Sequence, residues 1–544
     1  MTSVTRQQIG KRVYLYESDS YRDEQGRPRN KKTSIGKIDP VTGRKVYKQD
    51  YLDRMAAAGT PIIIPNTDSY LTAGQLDMAM EVMANIKNYG AVYVLSRISE
   101  ETGLTDILRQ SIPDYWQEIL TLAYYLVLSD KPVSYCSDWL ADTETDNVGD
   151  LSSQRISELL ISFGASDRHA FYEAWAAYRM EQEYVALDIT SISSYSELIG
   201  DNEWGYNRDH EDLPQINLCM LMGQQSHLPI YQSVYSGSLK DVSTLQCTLS
   251  ELTALVPEKK KIRLVMDKGF FSVKNINALL GSAEDQQKHL DYDFLVAVPF
   301  TSAFACRQVE SERKDIDQVN HTIMTSSTPI RGVHKPRAWG SKGQTIHTHI
   351  LYNPEKALQI KNDLYGLVTE LKTLAETDPN NKLQEEAFRK YLQIRKSEKL
   401  PSGYTVKIRE EVIESQLKQA GWLILISNFL DDVQAAHDYY RSKDVVEKSF
   451  CRFKNNLGLC RLRVQSNDRM QNKIFVGFIA LILMSWLHQR MSEERLYKHM
   501  TFDKMMLTLA KIRLTTVKGQ RILRPLTKEQ KDLLDRLGIA HPVG

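Results

Sequence analysis

The chain has 544 residues, of which 42% are hydrophobic and 25% charged, a composition that fits a soluble globular protein of two to four domains and excludes a fibrous or disordered one. The formal net charge of +1 conceals a segregation: residues 1–50 carry +6, residues 441–544 carry +12, and the residues between them carry −17. Basic ends suit a protein that binds a polyanion, and an acidic middle suits one that gathers cations, although charge also fluctuates along any long chain.

The six cysteines show neither C-x2-C spacing nor histidine pairs at zinc-finger spacing, which predicts reduced thiols in a cytosolic compartment. The first ten residues are polar and do not resemble a signal peptide. The longest apolar run, residues 475–487, is shorter than the about 20 residues that cross a bilayer. We therefore expect a buried core helix there, no membrane partner and a cytoplasmic location.

A β-hairpin is predicted near the start of the chain. Residues 12–16 and 32–36 have extended patterns, and residues 24–28 between them have the composition of a turn. The second half of the hairpin carries a group of basic side chains, namely Arg27, Arg29, Lys31 and Lys32. Residues 1–70 are accordingly interpreted as a basic β module that could bind DNA, with an ordinary solvated hairpin as the alternative.

Residues 71–180 are predicted to form a helical domain. Apolar side chains repeat at helical spacing in residues 76–83 and 119–126. Residues 98–104 weakly resemble a helix-turn-helix, but the segment that follows offers only Arg109 as a base-reading side chain. Core packing is the favoured interpretation, and binding to DNA ends is kept as a hypothesis for this domain.

Residues 181–300 alternate between strand and helix patterns. The predicted strands are 184–187, 215–222, 228–235, 262–266 and 292–298, and the predicted helices are 243–255 and 274–280. Three strands, helix, strand, helix, strand is the order of the ribonuclease-H fold, a mixed α/β layer. Asp188 and Asp267 are each expected at the carboxyl end of a strand, where open α/β sheets build their sites.

Residues 301–420 are predicted to be a domain inserted into this core. They contain two charged helical patterns, 356–371 and 383–394, before a strand at 422–426. Residues 421–490 should complete the ribonuclease-H-like core, and residues 491–544 should form a basic C-terminal helical region.

Residues 440–457 are predicted to form a helix with two adjoining faces. With about 100° between successive residues, one arc of about 60° holds Tyr440, Lys443, Glu447 and Lys454. The neighbouring stripe is apolar and consists of Val446, Phe450, Phe453 and Leu457. A glutamate among lysines is by itself also typical of i,i+4 pairs on a solvated face.

The spacing Y-x2-K-x3-E-x6-K from Tyr440 to Lys454 resembles the Y-x2-R-x3-E-x6-K signature of bacterial insertion-sequence DDE transposases of the insertion-sequence-four superfamily. This chain has Lys443 where the family has arginine, so a planar fork is replaced by a point charge. Residues 187–191, the stretches 205–210 and 212–215, and the D-x-[GA]-[FY] motif at 267–270 also match the family, and the resemblance extends over about residues 180–490.

The resemblance implies that Asp188, Asp267 and Glu447 are the catalytic acids. They would hold two Mg²⁺ ions, for which Mn²⁺ can substitute, and the ions would support both cleavage of element ends and joining of 3′-hydroxyl ends to target DNA. The implied partners are terminal inverted repeats and target DNA, with a homodimer in the synaptic complex. The implied location is the bacterial cytoplasm, in association with the nucleoid.

The same resemblance assigns DNA contacts. Tyr440, Lys443 and Lys454 would contact phosphates, with further cations beside them, namely Arg441, Lys448 and Arg452. Trp339 lies in a basic stretch and could stack on a flipped base, as an aromatic side chain does in hairpin-forming relatives. A tryptophan packed in the protein is the alternative.

Three other functions are alternatives for this sequence. A nuclease of the same fold would share the acids but would not join ends. A domesticated DNA-binding relative usually lacks one acid, whereas all three are present here. A tyrosine recombinase would need an H-x-x-R partner for Tyr440, and the motif at Asp267 would then have no explanation.

Overall fold

The computed structural model describes residues 2–10, 12–40, 44–58, 62, 86–145, 149–179, 183–255, 261–281, 291–326, 328–340, 343–397, 403–517 and 520–543. The chain divides into two compact units, residues 1–84 and 85–544, which are described separately. The helical pattern predicted at residues 76–83 lies outside the described residues.

The first unit contains an antiparallel sheet in the order β1-β2-β3-β4. Its elements are β1 Thr2–Ile9, β2 Arg12–Arg22, β3 Pro28–Ile38, β4 Lys45–Tyr47 and helix α1 Gln49–Ala57. The predicted hairpin is confirmed as β2 and β3, and Leu15, Ile35 and Tyr51 form its buried core. Arg29, Lys31 and Lys32 are exposed on β3, as a basic surface requires.

The second unit begins with a helical region. Its elements are β5 Ile86–Asn88, α2 Gly90–Glu101, α3 Leu104–Ser111, α4 Trp116–Leu128, α5 Cys136–Ala141, α6 Ser153–Ser162 and α7 Ala165–Arg179. Ile98 and Leu104, at the weak helix-turn-helix pattern, are fully buried. Their burial supports the core-packing interpretation of that pattern.

The centre of the second unit is a mixed sheet that, in the described residues, has nine strands. Its first part consists of β6 Tyr184–Ser193, β7 Gln215–Gly223, β8 Pro229–Ser236, α8 Asp241–Leu255, β9 Lys261–Met266, α9 Val273–Leu279 and β10 Asp291–Ala297. β6, β7 and β8 are antiparallel neighbours, whereas β9 and β10 add in parallel on the other side of β6. This is the ribonuclease-H-like order that the sequence predicted.

The position of Asp188 differs from the prediction. The expected strand ended at this residue, but β6 continues to Ser193 because β7 keeps pairing with it as far as Gln215. Asp188 therefore lies within a strand, at the level where parallel pairing with β9 stops. Asp267 directly follows β9, as predicted.

The segment predicted as an inserted domain has two parts. After α10 Ala303–Glu312, the strands β11 Thr322–Ile323, β12 Ile330–Trp339 and β13 Gln344–Tyr352 extend the core sheet beyond β16 Trp422–Ser427, which pairs with β10. The rest forms a separate hydrophobic cluster from α11 Pro354–Thr377, α12 Glu385–Tyr391, β14 Leu392–Lys396, β15 Tyr404–Ile408 and α13 Glu410–Gln419. The helix predicted at 383–394 thus ends in a strand, because residues from Leu392 onward pair with β15.

The chain ends in helices and a small hairpin. The elements are α14 Val433–Ser442, α15 Asp444–Cys451, a π-helical segment Arg452–Asn456, α16 Asn467–Glu493, α17 Phe502–Ala510, β17 Arg513–Val517, β18 Gln520–Leu523 and α18 Lys528–Leu537. The region 491–544, predicted as a helical region, contains two strands besides its helices, since β17 pairs with both β18 and β5.

Helix α16 is the central core helix. Its 27 residues are long and apolar enough to cross a membrane, but 83% of the most apolar window is buried inside the protein. It packs against α4, α6 and β8, so it joins the N-terminal helices to the sheet. The expected buried core helix is confirmed.

Two glycines provide a matched test of the packing around α16. A Cβ at Gly477 would lie 2.3 Å from Leu459 Cδ1 and 2.9 Å from Phe453 Cε2, whereas a Cβ at Gly366 in α11 would meet no atom within 4 Å. We expect Gly477→Ala to lower the free energy of unfolding by about 1–3 kcal/mol through overpacking. Gly366→Ala should raise it by up to about 1 kcal/mol through helix propensity. Thermal unfolding measures both, and a stabilised Gly477→Ala variant would contradict the packing described.

Candidate active site

Strand register places the first two acids side by side. Leu187 in β6 pairs with Met266 in β9, so Asp188 and Asp267 are the next residues on adjacent parallel strands. Such strands lie about 4.8 Å apart. Asp267 begins a short 3-10 turn in which a Cβ at Gly269 would approach Asp241 Oδ2 to 2.7 Å, so this turn leaves little room for a larger residue.

The segment that carries the third acid is not the single helix predicted. Helix α14 ends at Ser442 and α15 begins at Asp444, with i to i+3 hydrogen bonds on both sides of Lys443. The backbone at Lys443 nevertheless stays near helical geometry, with φ −58° and ψ −22°, so the predicted faces survive the interruption. The apolar stripe is confirmed, because four side chains are buried, namely Val446, Phe450, Phe453 and Leu457.

Packing of α15 on β6 and β7 brings Glu447 to the two aspartates through Lys443. The Lys443 ammonium lies 2.8 Å from Glu447 Oε1 and 3.7 Å from Asp188 Oδ2. One turn earlier, the Tyr440 hydroxyl donates a hydrogen bond of 2.8 Å to Asp267 Oδ1. The structure thus gathers all three predicted acids with Tyr440 and Lys443 at one edge of the sheet.

The proton affinities of these groups follow from burial and mutual charge. Burial raises the pKa of Asp188 to about 6, and Asp267 adds to that rise, although Lys443 and the Ile189 N–H oppose it. Burial, followed by Asp267, raises the pKa of the Tyr440 hydroxyl. Burial lowers the pKa of Lys443, but the carboxylates of Asp188 and Glu447 outweigh it and the net change is upward.

A cation already lies among the acids, in the form of the Lys443 side chain. Among the described residues, no three carboxylate, imidazole or thiol groups converge closely enough to hold an ion as they stand. The reason is local, since the Lys443 amine lies between Asp188 and Glu447 and the Tyr440 hydroxyl binds Asp267. The Glu447 side chain is 60% exposed and can turn away from the amine. A set of carboxylate oxygens suits Mg²⁺ or Mn²⁺.

Lys454 is engaged by a carboxylate that the sequence did not predict as a partner. Its Nζ lies 2.9 Å and 2.7 Å from the two Asp209 oxygens, and its side chain is 10% exposed. Arg461 pairs in the same way with Glu211. The loop between β6 and β7 thus pairs two carboxylates with two cations, and its residues 205–214 are here termed the acidic loop.

Arg441 and Lys448 lie on the surface near the acids. Arg441 is exposed and lines a groove of about 1140 Å³ that also contains Asp267 and Lys268. Lys268 was not predicted as a site residue, although it lies inside the quoted motif. Lys448 forms a 2.6 Å ion pair with Asp444 on the exposed side of α15.

Arg452 and Trp339 have other surroundings. Arg452 lies near Tyr497, and burial lowers the pKa of its guanidinium. The Trp339 indole N–H donates to Asn277 Oδ1 at 2.9 Å, and its ring meets Phe304 edge-on. These contacts agree with the alternative interpretation of Trp339, in which its side chain is packed against the protein.

The raised pKa of Asp188 predicts a pH-dependent stability difference. A carboxyl that is protonated more readily in the folded than in the unfolded chain destabilises the fold progressively as pH rises from its unfolded pKa, about 4, through its folded pKa of about 6. In metal-free buffer, the free energy of unfolding of Asp188→Asn minus that of the wild type should therefore increase by up to about 3 kcal/mol from about pH 4 to about pH 7. Asp444→Asn controls for the loss of an exposed carboxylate, and a pH-independent difference for Asp188→Asn would refute the burial effect.

Comparisons with known proteins place this site in a family. No curated protein matches the sequence. Among solved structures, the chain aligns with the cryo-EM structure of a piggyBac transposase synaptic complex with hairpin DNA, at 10% sequence identity, with 86% of this chain and 84% of that chain covered and a TM-score of 0.33. The family model described as "Transposase DDE domain" matches residues 180–483, which include Asp188, Asp267 and Glu447. The chain therefore belongs to the transposase DDE-domain family.

Proposed function

We propose that this protein is a DNA transposase that cleaves the ends of its insertion sequence and joins the resulting 3′-hydroxyl ends to target DNA. One observation carries the proposal: Asp188, Asp267 and Glu447, which are far apart in the sequence, meet with Tyr440 and Lys443 at one edge of a ribonuclease-H-like sheet. The family membership supports the same reaction class.

Asp188, Asp267 and Glu447 are the residues that would hold two divalent ions. Two such ions activate an oxygen nucleophile and stabilise the leaving oxygen. Lys443 would leave the carboxylates and turn toward a DNA phosphate, which is the role that its charge and position allow. Tyr440 stays protonated near neutral pH because its pKa is raised, so its hydroxyl can donate a hydrogen bond to a phosphate oxygen.

The same residues would act in two successive exchanges. Water attacks the phosphodiester at the element end, and the bond to the 3′-oxygen breaks to leave a free 3′-hydroxyl. That hydroxyl then attacks a phosphodiester of target DNA and releases another 3′-oxygen. The implied partners are terminal inverted repeats, target DNA and a second copy of the chain, in the bacterial cytoplasm.

The acids are tested by cleavage of a duplex that carries the inverted repeat next to the coding frame. Asp188→Asn, Asp267→Asn and Glu447→Gln should each abolish Mg²⁺-dependent cleavage and leave binding of the duplex largely intact. Asp444→Asn removes an exposed carboxylate three residues before Glu447 and should cleave normally. Any acid variant that still cuts would exclude that residue, and a wild type that cuts without joining a pre-cut end to target DNA would indicate a nuclease instead.

The ion pair between Asp209 and Lys454 predicts that substitutions of its two members change DNA affinity in opposite directions. Asp209→Asn should free the Lys454 charge and raise DNA affinity, whereas Lys454→Gln should lower affinity and reduce the slope of log affinity against log salt by about one. Glu376→Gln, which breaks a lysine pair on the remote helix α11, is the matched control and should change neither. Equal affinities for Asp209→Asn, Lys454→Gln and wild type would remove Lys454 from the DNA contacts.

A further inference from the structure

A second cation-rich site lies apart from the acids. A cavity of about 890 Å³ lies between α4, α6, the three residues that follow β6 (194–196) and the segment leading into α16. Four basic side chains line it, namely Arg461, Arg463, Arg469 and Lys473, and no carboxylate among the described residues does. A concentration of one sign of charge in a concave surface is a typical anion-binding arrangement.

Three of the four cations lack a countercharge in the described part of the chain. The Arg469 Nε donates to the Ser157 carbonyl and hydroxyl at 3.3 Å and 3.1 Å, and Lys473 Nζ donates to the Leu462 carbonyl at 2.6 Å. Arg463 is exposed and has a left-handed backbone with φ 50°. Neutral oxygens orient these groups without cancelling their charge, so the cavity keeps a positive potential.

Lys473 shows the electrostatic consequence. Burial, together with the nearby Arg463 guanidinium, lowers the pKa of Lys473 to about 8. A bound anion between these two groups would relieve the repulsion and favour the charged amine.

The cavity shares one lining residue with a neighbouring cavity. Arg461 lines this cavity and also a neighbouring one of about 530 Å³ that contains Thr190 and Lys454. Six residue steps separate Asp188 in β6 from Ser194, which directly follows β6 and lines the cavity; they span about 20 Å, which is the length of about six base pairs.

We propose that this cavity is a DNA backbone subsite that takes a phosphodiester about six nucleotides from the bond positioned at Asp188, with Arg463, Arg469 and Lys473 as its ligands. The assignment rests on the proposed function, because it takes the DNA strand to run from the acids along β6. Tyr195, which is 76% exposed and lines the cavity, adds an aromatic surface of the kind that nucleic-acid sites use.

The test measures DNA binding by the full-length protein. Arg463→Gln and Lys473→Gln are compared with Arg389→Gln, which removes the same charge from an exposed i,i+4 pair in α12. Each cavity variant should weaken binding of the inverted-repeat duplex and reduce the salt slope by about one, while the control matches the wild type. Arg463 is exposed, so its variant keeps the test valid if Lys473→Gln proves unstable in thermal unfolding.

A second arm locates the contact. A single uncharged methylphosphonate placed about six nucleotides from the cleaved bond should weaken binding by wild type and have little further effect on Arg463→Gln. The subsite is refuted if the cavity variants keep the wild-type salt slope, or if Arg389→Gln weakens binding as much as they do. It is also refuted if the methylphosphonate weakens binding equally for wild type and Arg463→Gln. A further refuting result is that inorganic phosphate weakens DNA binding more than its ionic strength explains while the methylphosphonate has no effect. That result indicates a site for small anions.

Binding is read without cleavage, so the two proposals fail separately. Loss of binding in the cavity variants together with persistent cleavage by the acid variants would reject the catalytic assignment and keep the subsite. The reverse result would keep the acids and reject the subsite.

Discussion

The parallel register between β6 and β9 is the constraint on which the rest of the site depends. Because Leu187 pairs with Met266, the backbone alone makes Asp188 and Asp267 neighbours, whatever rotamers their side chains adopt. Helices α14 and α15 then need only pack on this part of the sheet to present Tyr440 and Glu447 to the same place. A slip of one residue in either strand would turn one carboxylate to the opposite face.

Lys443 explains how three acids can lie close together without a bound ion. Like charges brought together without a cation oppose ionisation, and the pKa of about 6 at Asp188 shows that opposition in part. The ammonium between Asp188 and Glu447 reduces it. An arginine at this position would bind a carboxylate more tightly through its bidentate fork than the single ammonium does here. A lysine is therefore the weaker competitor against a divalent ion.

The sequence predicted what depends on local pattern. Apolar runs followed by aspartate located Asp188 and Asp267, and helical spacing located the buried face behind Glu447. It missed the pairing of Asp209 with Lys454, because contacts between residues 245 apart leave no periodic signal. It also missed that β12 extends the core sheet, since residues such as Arg331, His334 and Arg337 give that strand a polar pattern.

The central position of α16 has a consequence for biosynthesis. The helices before residue 180 and the sheet both pack on a helix that the ribosome makes in the last fifth of the chain, and Glu447 is made only shortly before it. A nascent chain thus exposes its apolar surfaces until translation is nearly finished, which is when chaperones are needed most. Fragments that terminate before α16 would lack a complete core, and those that terminate before α15 would also lack Glu447.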